Sequence, residues 1–220
     1  MTITEFAILN LATPSLTEET KAALTKIQAI QDDWHKKTFP NSPLSTSKRA
    51  SAWLQQVEDP SKILTIAQWD TVQAHMDWVA SDTNKTVMAE LGHYFDLEKG
   101  FDLFHVDADF LNTDAPDSFL ENPIISLGRL WIPRERKEAF STRFNQVKPI
   151  LAAFIKPKIV RVGWREDLPE GATEEESVMV GGWETAEDHL SFTKAPGFDE
   201  YSEIHQFQTR ADGKHYKRFI

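Results

Sequence analysis

The sequence predicts an α+β protein built from two tandem β-α-β-β-α-β units whose antiparallel sheets pack against each other within one chain. Three observations carry this prediction. The pattern Trp69–Asp70–Thr71–Val72–Gln73–Ala74–His75–Met76–Asp77–Trp78 returns as Trp183–Glu184–Thr185–Ala186–Glu187–Asp188–His189–Leu190–Ser191–Phe192, about half a chain later. The same order of strand-like and helix-like segments surrounds each copy. Several strands are apolar on both faces: Ile63, Thr65, Ala67 and Trp69 alternate with Leu64, Ile66 and Gln68. A sheet of that kind, covered by helices on one side, needs an apolar partner on the other.

In the first unit, Ile3–Leu11 alternates as a strand, and Thr17 with Glu18 and Glu19 opens a helix running to about Lys37. Asn41–Ser47 reads as loop. Ala50–Val57 and Lys62–Trp69 are β-rich runs joined by the turn composition Glu58–Asp59–Pro60–Ser61, a hairpin. The helix bearing His75 follows without interruption, Gly92 and Gly100 punctuate the chain, and Phe101–Asp107 supplies a fourth strand. The second unit repeats the order: strand Ile124–Ile132, helix from about Pro133 to Phe154, strands Lys158–Arg165 and Ser177–Trp183 around the acidic loop Glu166–Glu176, a helix broken at Lys194–Gly197, and strand Lys214–Ile220. Both orders are ferredoxin-like. The predicted division is residues 1–110, a polar linker over 111–122, and residues 123–220. The alternative for the linker is a loop packed on the barrel.

Composition narrows the function. With a formal net charge of −10 and no basic stripe, nucleic acid is not an expected partner. The absence of cysteine excludes thiolate metal sites and thiol catalysis and suits a cytoplasmic address. No apolar run is long enough to span a bilayer, so no membrane partner is expected. No H-x-x-E-H or other metal spacing, Walker loop, G-x-G-x-x-G or G-x-S-x-G occurs, so neither metal nor cofactor is predicted. Seven Trp and fourteen Phe can fill a core or line a pocket for a flat apolar ligand. Homodimerisation of the chain is left open.

The segment Trp69-(x5)-His75-(x2)-Trp78-(x2)-Ser81-Asp82, with its echo in the second half, resembles the dimeric α/β-barrel superfamily of the antibiotic-biosynthesis-monooxygenase (ABM) type, in tandem-repeat form. That resemblance implies a pocket between sheet and helices, and either a cofactor-independent monooxygenase or polyketide cyclase acting on an aromatic or polyketide-like metabolite, or a non-catalytic ligand-binding or stress-response barrel. Haem-degrading members of the superfamily use an Asn, a Trp and a ligating His. Here Asn10 and Trp78 match, but Met88 stands at the histidine position, which leaves haem binding through Met88 or His93 as a third reading.

On the monooxygenase reading, His75 is the base, with His189 as its counterpart, and Asn10 and Arg129 hold developing oxyanion charge. Laying Ile8–Pro14 over Leu127–Pro133 makes those two residues equivalent. Trp78, Trp69 and Phe192 are walls. His105 either reaches the same cavity or faces solvent. Trp164 marks a pocket in the second half, and Tyr201 seals a rim. Against this, His75 and His189 can instead hydrogen-bond a strand end and hold a helix to the sheet. The first cavity is expected to be the better formed.

Overall fold

A computed structural model describes residues 2–46, 51–111 and 119–220, of Thr46 the backbone only. The first half contains β1 (Ile3–Asn10), α1 (Glu18–Thr38), the single turn α2 (Pro43–Thr46), β2 (Ser51–Gln56), β3 (Lys62–Trp69), α3 (Val72–Ala80), α4 (Asp82–Leu91) and β4 (Asp102–Val106). The second contains β5 (Ile124–Pro133), α5 (Lys137–Ile155), β6 (Val160–Trp164), β7 (Glu174–Trp183), α6 (Ala186–Ser191), α7 (Phe198–Ser202) and β8 (Arg210–Arg218).

The helix starts follow local chemistry. Thr17, Thr71 and Thr185 each accept a hydrogen bond from a backbone N–H of the first turn, and Thr185 forms a full capping box with Asp188. The helix after His75 is not continuous, as the sequence suggested. Ser81, at ψ 150°, leaves the helical region; its hydroxyl donates to Trp78 O at 2.7 Å and accepts from Asn84 N at 3.0 Å, ending α3 and capping α4. Pro133 does not open α5 but ends β5, and a 3-10 turn, Arg134–Arg136, intervenes. β7 and β8 start earlier than predicted because both pair along β5, Glu174 with Pro133 and Arg210 with Trp131. The predicted loop over 41–47 holds α2, and the predicted start of β2 at Ala50 lies outside the described residues.

All eight strands form one antiparallel sheet in the order β4-β1-β3-β2-β8-β5-β7-β6. The sequence suggested two sheets packed face to face into a barrel within the chain; the barrel-like closure is found, but not as two separate sheets. Instead β2 pairs with β8, Leu54 opposite Arg218 and Gln56 opposite Tyr216, so the two sets of strands merge. The outer strands β4 and β6 approach each other through a Val106–Arg165 bridge, with Asp107 N donating to Trp164 O and Glu166 N to His105 O, both at 2.9 Å. The sheet thereby closes nearly into a barrel, which leaves little unpaired edge. Gly163 makes the seam possible, since a Cβ there would lie 2.5 Å from Val106 Cγ1.

Strand alternation sends one set of side chains into the barrel and the other toward the helices. The interior is filled by Phe6, Phe104, Leu64, Ile66, Val178 and Tyr216, among others, with Phe6 stacked on Phe104 at 5.2 Å. Each such side chain contributes roughly 1.5–3 kcal/mol by leaving water. Phe110 lies just before the predicted linker and Leu111, Phe119 and Leu120 within it, and all four are buried in this interior. Thr4 pins the incoming segment, its hydroxyl donating to Ala108 O and accepting from Phe110 N. Residues 112–118 of that linker lie outside the described residues. No described helix is long and apolar enough to cross a membrane.

Candidate active site

Glu5, Ala7 and Leu9 on β1 point away from the barrel interior toward α1, α3 and α4, as do Thr65 on β3 and Trp53 on β2. Between these strands and the helices lies a mainly apolar cavity of about 470 Å³, lined also by Ile27, Trp78, Asn84, Val87 and Met88. Trp78 is buried and meets Trp34 edge to face at 5.3 Å. The indole Nε1 of Trp53 is buried without a hydrogen-bond acceptor among the described residues. A donor left unpaired inside protein costs free energy and is served by a ligand that brings an acceptor.

Three ionisable groups line the cavity, Glu5, His75 and Lys85; Glu5 and His75 are almost fully buried, whereas Lys85 is exposed. Glu5 Oε2 accepts from Trp69 Nε1 at 2.6 Å and lies 3.4 Å from His75 Nε2. His75 Nδ1 meets His105 Nε2 at 2.6 Å, and His105 Nδ1 meets Asp167 Oδ2 at 2.8 Å. Asp167 comes from the connection between β6 and β7, in the other half of the chain. Its carboxylate can only accept, so neutral His105 carries its hydrogen on Nδ1 and presents a lone pair to the Nδ1–H of His75. His75 Nε2 is thereby turned toward Glu5. Burial works to raise the Asp167 carboxyl, but hydrogen bonds from His105 and Arg165 and the charge of Arg165 outweigh it and hold the group below its usual range.

The second half repeats the arrangement with one change. His189 Nδ1 meets His215 Nε2 at 2.9 Å, His215 Nδ1 meets Glu58 Oε1 at 2.6 Å, and Trp183 stacks on His189 where Trp69 makes a tilted contact with His75. Glu58 comes from the β2–β3 turn of the first half. Each histidine pair is thus completed by a carboxylate from the opposite half. The change is at Glu5: Trp183 Nε1 donates to Ser126 Oγ at 2.8 Å. Burial, reinforced by the proximity of His215, pushes His189 down to about 4 from 6.5. Protonation therefore favours the unfolded chain, and stability conferred by neutral His189 is present above pH 6.5 and lost as pH falls toward 4. By linkage the loss reaches up to about 3 kcal/mol before solvent screening. Urea titrations at pH 7 and pH 4.5 are expected to show a smaller acid loss for His189→Gln than for the unaltered chain; equal losses would contradict the assignment.

The predicted site residues divide. His75 and Trp78 line the cavity, while Trp69 supports it from behind through Glu5. His105 does not face solvent; it is 1% exposed and bonded to His75. Asn10 lies at the far end of β1, bonded to Gly100 O and Lys62 Nζ outside the cavity. Arg129 points into the barrel, ion-paired with Glu176 and Asp102 and 4.1 Å above the Phe104 ring. The two are not equivalent: Ile3 faces Trp69 and Ile124 faces Trp183, which puts Ile8, not Asn10, in the place of Arg129. Phe192 and Tyr201 pack on each other at 4.9 Å within the helical cover of the second half, where burial pushes the Tyr201 hydroxyl up to about 12. Trp164 meets Lys137 Nζ at 4.5 Å and edges a cleft of about 360 Å³ over α5 and β6 that also exposes Asp107, Asn145 and Lys148. Met88 lines the cavity, and His93 is exposed.

Sequence reasoning passed over Glu5, Trp53, Asp167, Glu58 and His215. An acid inside the mainly apolar Ile3–Leu9 run was a usable sign of Glu5, and the parallel placing of His105 and His215 on the last strand of each half was a sign of the pairs. No group of three or more potential metal ligands gathers among the described residues.

No protein-family model and no curated protein matches the sequence. Solved structures do match over nearly the whole chain. A mutant chlorite dismutase from Candidatus Nitrospira defluvii aligns with a TM-score of 0.63 at 10% identity, covering 100% of this chain and 92% of its own. An anthrone oxidase-like protein aligns at 0.59 and 11%, covering 100% and 92%. A protein with a provisional monooxygenase assignment from Lactobacillus acidophilus aligns at 0.58 and 14%, covering 99% and 93%. At these identities the likeness is one of fold: this chain shares the antiparallel, nearly closed α+β barrel of those proteins.

Proposed function

We propose that the protein is a cofactor-independent enzyme of the ABM type, two ferredoxin-like units in tandem, that uses the cavity of its first half to remove a proton from an aromatic, polyketide-like substrate and expose the resulting enolate to dioxygen. The observation that carries the reading is the pairing of Glu5 with His75 in the wall of an apolar chamber also lined by Trp53, whose N–H has no acceptor among the described residues. A buried carboxylate and imidazole in contact form a base whose proton affinity the ligand's own charge can tune. The indole donor suits a carbonyl or phenolic oxygen, and Trp78 suits a flat ring. The structural neighbours described as monooxygenase and anthrone oxidase-like support the reaction class.

In this reaction the Glu5–His75 pair takes a C–H or O–H proton, the carbanion or enolate adds to dioxygen to give a peroxide anion, the pair returns its proton to form a hydroperoxide, and loss of water leaves a new carbonyl. Anthrone is the test probe: with dioxygen it yields anthraquinone and water. Oxygen uptake and quinone absorbance are expected to rise together with protein present and to stop under nitrogen. Turnover that continues without oxygen assigns cyclase or isomerase chemistry instead.

A second reading, a non-catalytic binding barrel, is favoured by the His189–His215 pair, which has the same geometry although aromatic side chains fill the space beneath its helices. If His75→Gln and His189→Gln lower the melting temperature equally and neither alters anthrone turnover, both pairs are braces.

A further inference from the structure

The line of polar groups behind the cavity does not end in the protein interior. Glu5, His75 and His105 have side chains 7%, 3% and 1% exposed, whereas Asp167 at the far end is 20% exposed. Glu5 and His75 touch the cavity and Asp167 touches water, with the two imidazoles bridging them at hydrogen-bond distances of 2.6 and 2.8 Å. Arg165 holds Asp167 at 2.6 Å and Glu176 at 3.2 Å, and Trp69 holds Glu5, so each end of the line is fixed in place.

We propose that Glu5, His75, His105 and Asp167 form a proton relay that carries the substrate's proton from the cavity of the first half to solvent at the second, and carries it back. This rests on the reading of the cavity as the reactive site. In the outward step a proton from the substrate bonds to the Glu5–His75 pair and comes to His75 Nε2, the Nδ1–H of His75 passes to His105 Nε2, and the Nδ1–H of His105 passes to Asp167, which releases it to water. No electrons move along the line; the electron pair of the broken substrate bond stays on the substrate. Both histidines end with their hydrogens on the opposite nitrogens.

Resetting them requires either that the rings turn over or that a proton returns by the same route. His75 packs against Trp69 in a tilted contact at 4.7 Å and meets His105 edge-on at 4.9 Å, and both rings are buried, so turning is obstructed. The relay therefore suits a reaction that withdraws a proton early and gives one back later, as hydroperoxide formation does. The second half supplies an internal control. Its His189–His215–Glu58 line has the same polarity, but Ser126 occupies the strand position of Glu5, so the end at His189 lacks a carboxylate.

The test uses the full chain and 4-nitrophenol, whose phenolate is coloured. Bound 4-nitrophenolate is followed by stopped-flow absorbance after an acid jump. Asp167→Asn is expected to bind the probe within about threefold of the unaltered chain but to slow its protonation by about tenfold or more, the lower end of what a positioned proton carrier supplies. Asp167→Glu restores the rate and Glu58→Gln leaves it unchanged. In ligand-free protein labelled with 15N at histidine, Asp167→Asn is expected to shift the titrations of His75 and His105 together. Unchanged protonation kinetics in Asp167→Asn overturn the relay while leaving the cavity reading intact. A shift confined to His105 overturns it whether or not the probe binds. Failure of the unaltered chain to bind any aromatic probe, with the coupled titration present, counts against the cavity reading alone.

Discussion

Replacing Glu5 by Gln is expected to lower anthrone turnover by about 10²–10⁴-fold, the span over which a positioned general base acts. The substitution is nearly isosteric, and its amide oxygen still accepts the Trp69 Nε1–H that Glu5 Oε2 now receives at 2.6 Å. What is lost is the capacity to share a proton with His75 Nε2 at 3.4 Å. Because the nearly isosteric change preserves the shape of the cavity wall, the loss should fall on kcat with KM little changed, the signature of an interaction used in the transition state. Initial rates of oxygen uptake, with a circular-dichroism melt on the same sample, check the expectation. A folded Glu5→Gln protein that turns over at the unaltered rate would remove the base from the scheme. His189→Gln is the matching comparison, and its rate should stay near that of the unaltered chain.

The largest effect on stability is expected at Arg129. Its guanidinium lies between Glu176 and Asp102 and above the Phe104 ring, and Glu176 is fully buried. Burial works against the Arg129 charge, but the two carboxylates outweigh it and raise its proton affinity above the ordinary value. Arg129→Met keeps much of the apolar contact and removes the charge, leaving Glu176 with Arg165 at 3.2 Å as its remaining cation. Breaking one side of a buried pair typically costs about 3–5 kcal/mol, mostly the penalty of an uncompensated buried charge. Replacing Glu176 by Leu in the same chain should recover a large part of the loss. Urea unfolding at neutral pH measures both; a single Arg129→Met variant within about 1 kcal/mol of the unaltered chain would mean that the cluster is already neutral or hydrated.

Much of the fold was legible because its determinants are local. The doubled Trp–His pattern, the threonine caps and the alternation of β1, β3 and β5 are set by neighbours in sequence. What was misread depends on partners far away. The merging of the strands into one sheet is decided by β2 meeting β8, more than a hundred residues on, and no local pattern encodes that pairing. The register of β5 is set by Trp183 opposite Ile124, so aligning the two halves by their prolines displaced Arg129 by two residues and paired it with Asn10. Ser81 was read as part of a helix because serine is tolerated there; its double use as stop and start shows only in the backbone. Of the candidate site, the shared face of His75 and Trp78 was readable from helix spacing, whereas Trp69 and Phe192 do not line the cavity. Asp167 was not, because it sits in an acidic connection where one carboxylate looks like the next, and only the closure of β4 against β6 brings it to His105.

The exchange of carboxylates between halves bears on how such a chain can change over generations. A histidine pair whose acid lies on its own unit could be copied, trimmed or transplanted as a module. Here His105 is bonded to Asp167 and His215 to Glu58, so neither half of the chain carries a complete set. Loss or redesign of one hairpin would be felt as a chemical defect in the neighbour, and selection must act on the pair as one inheritance.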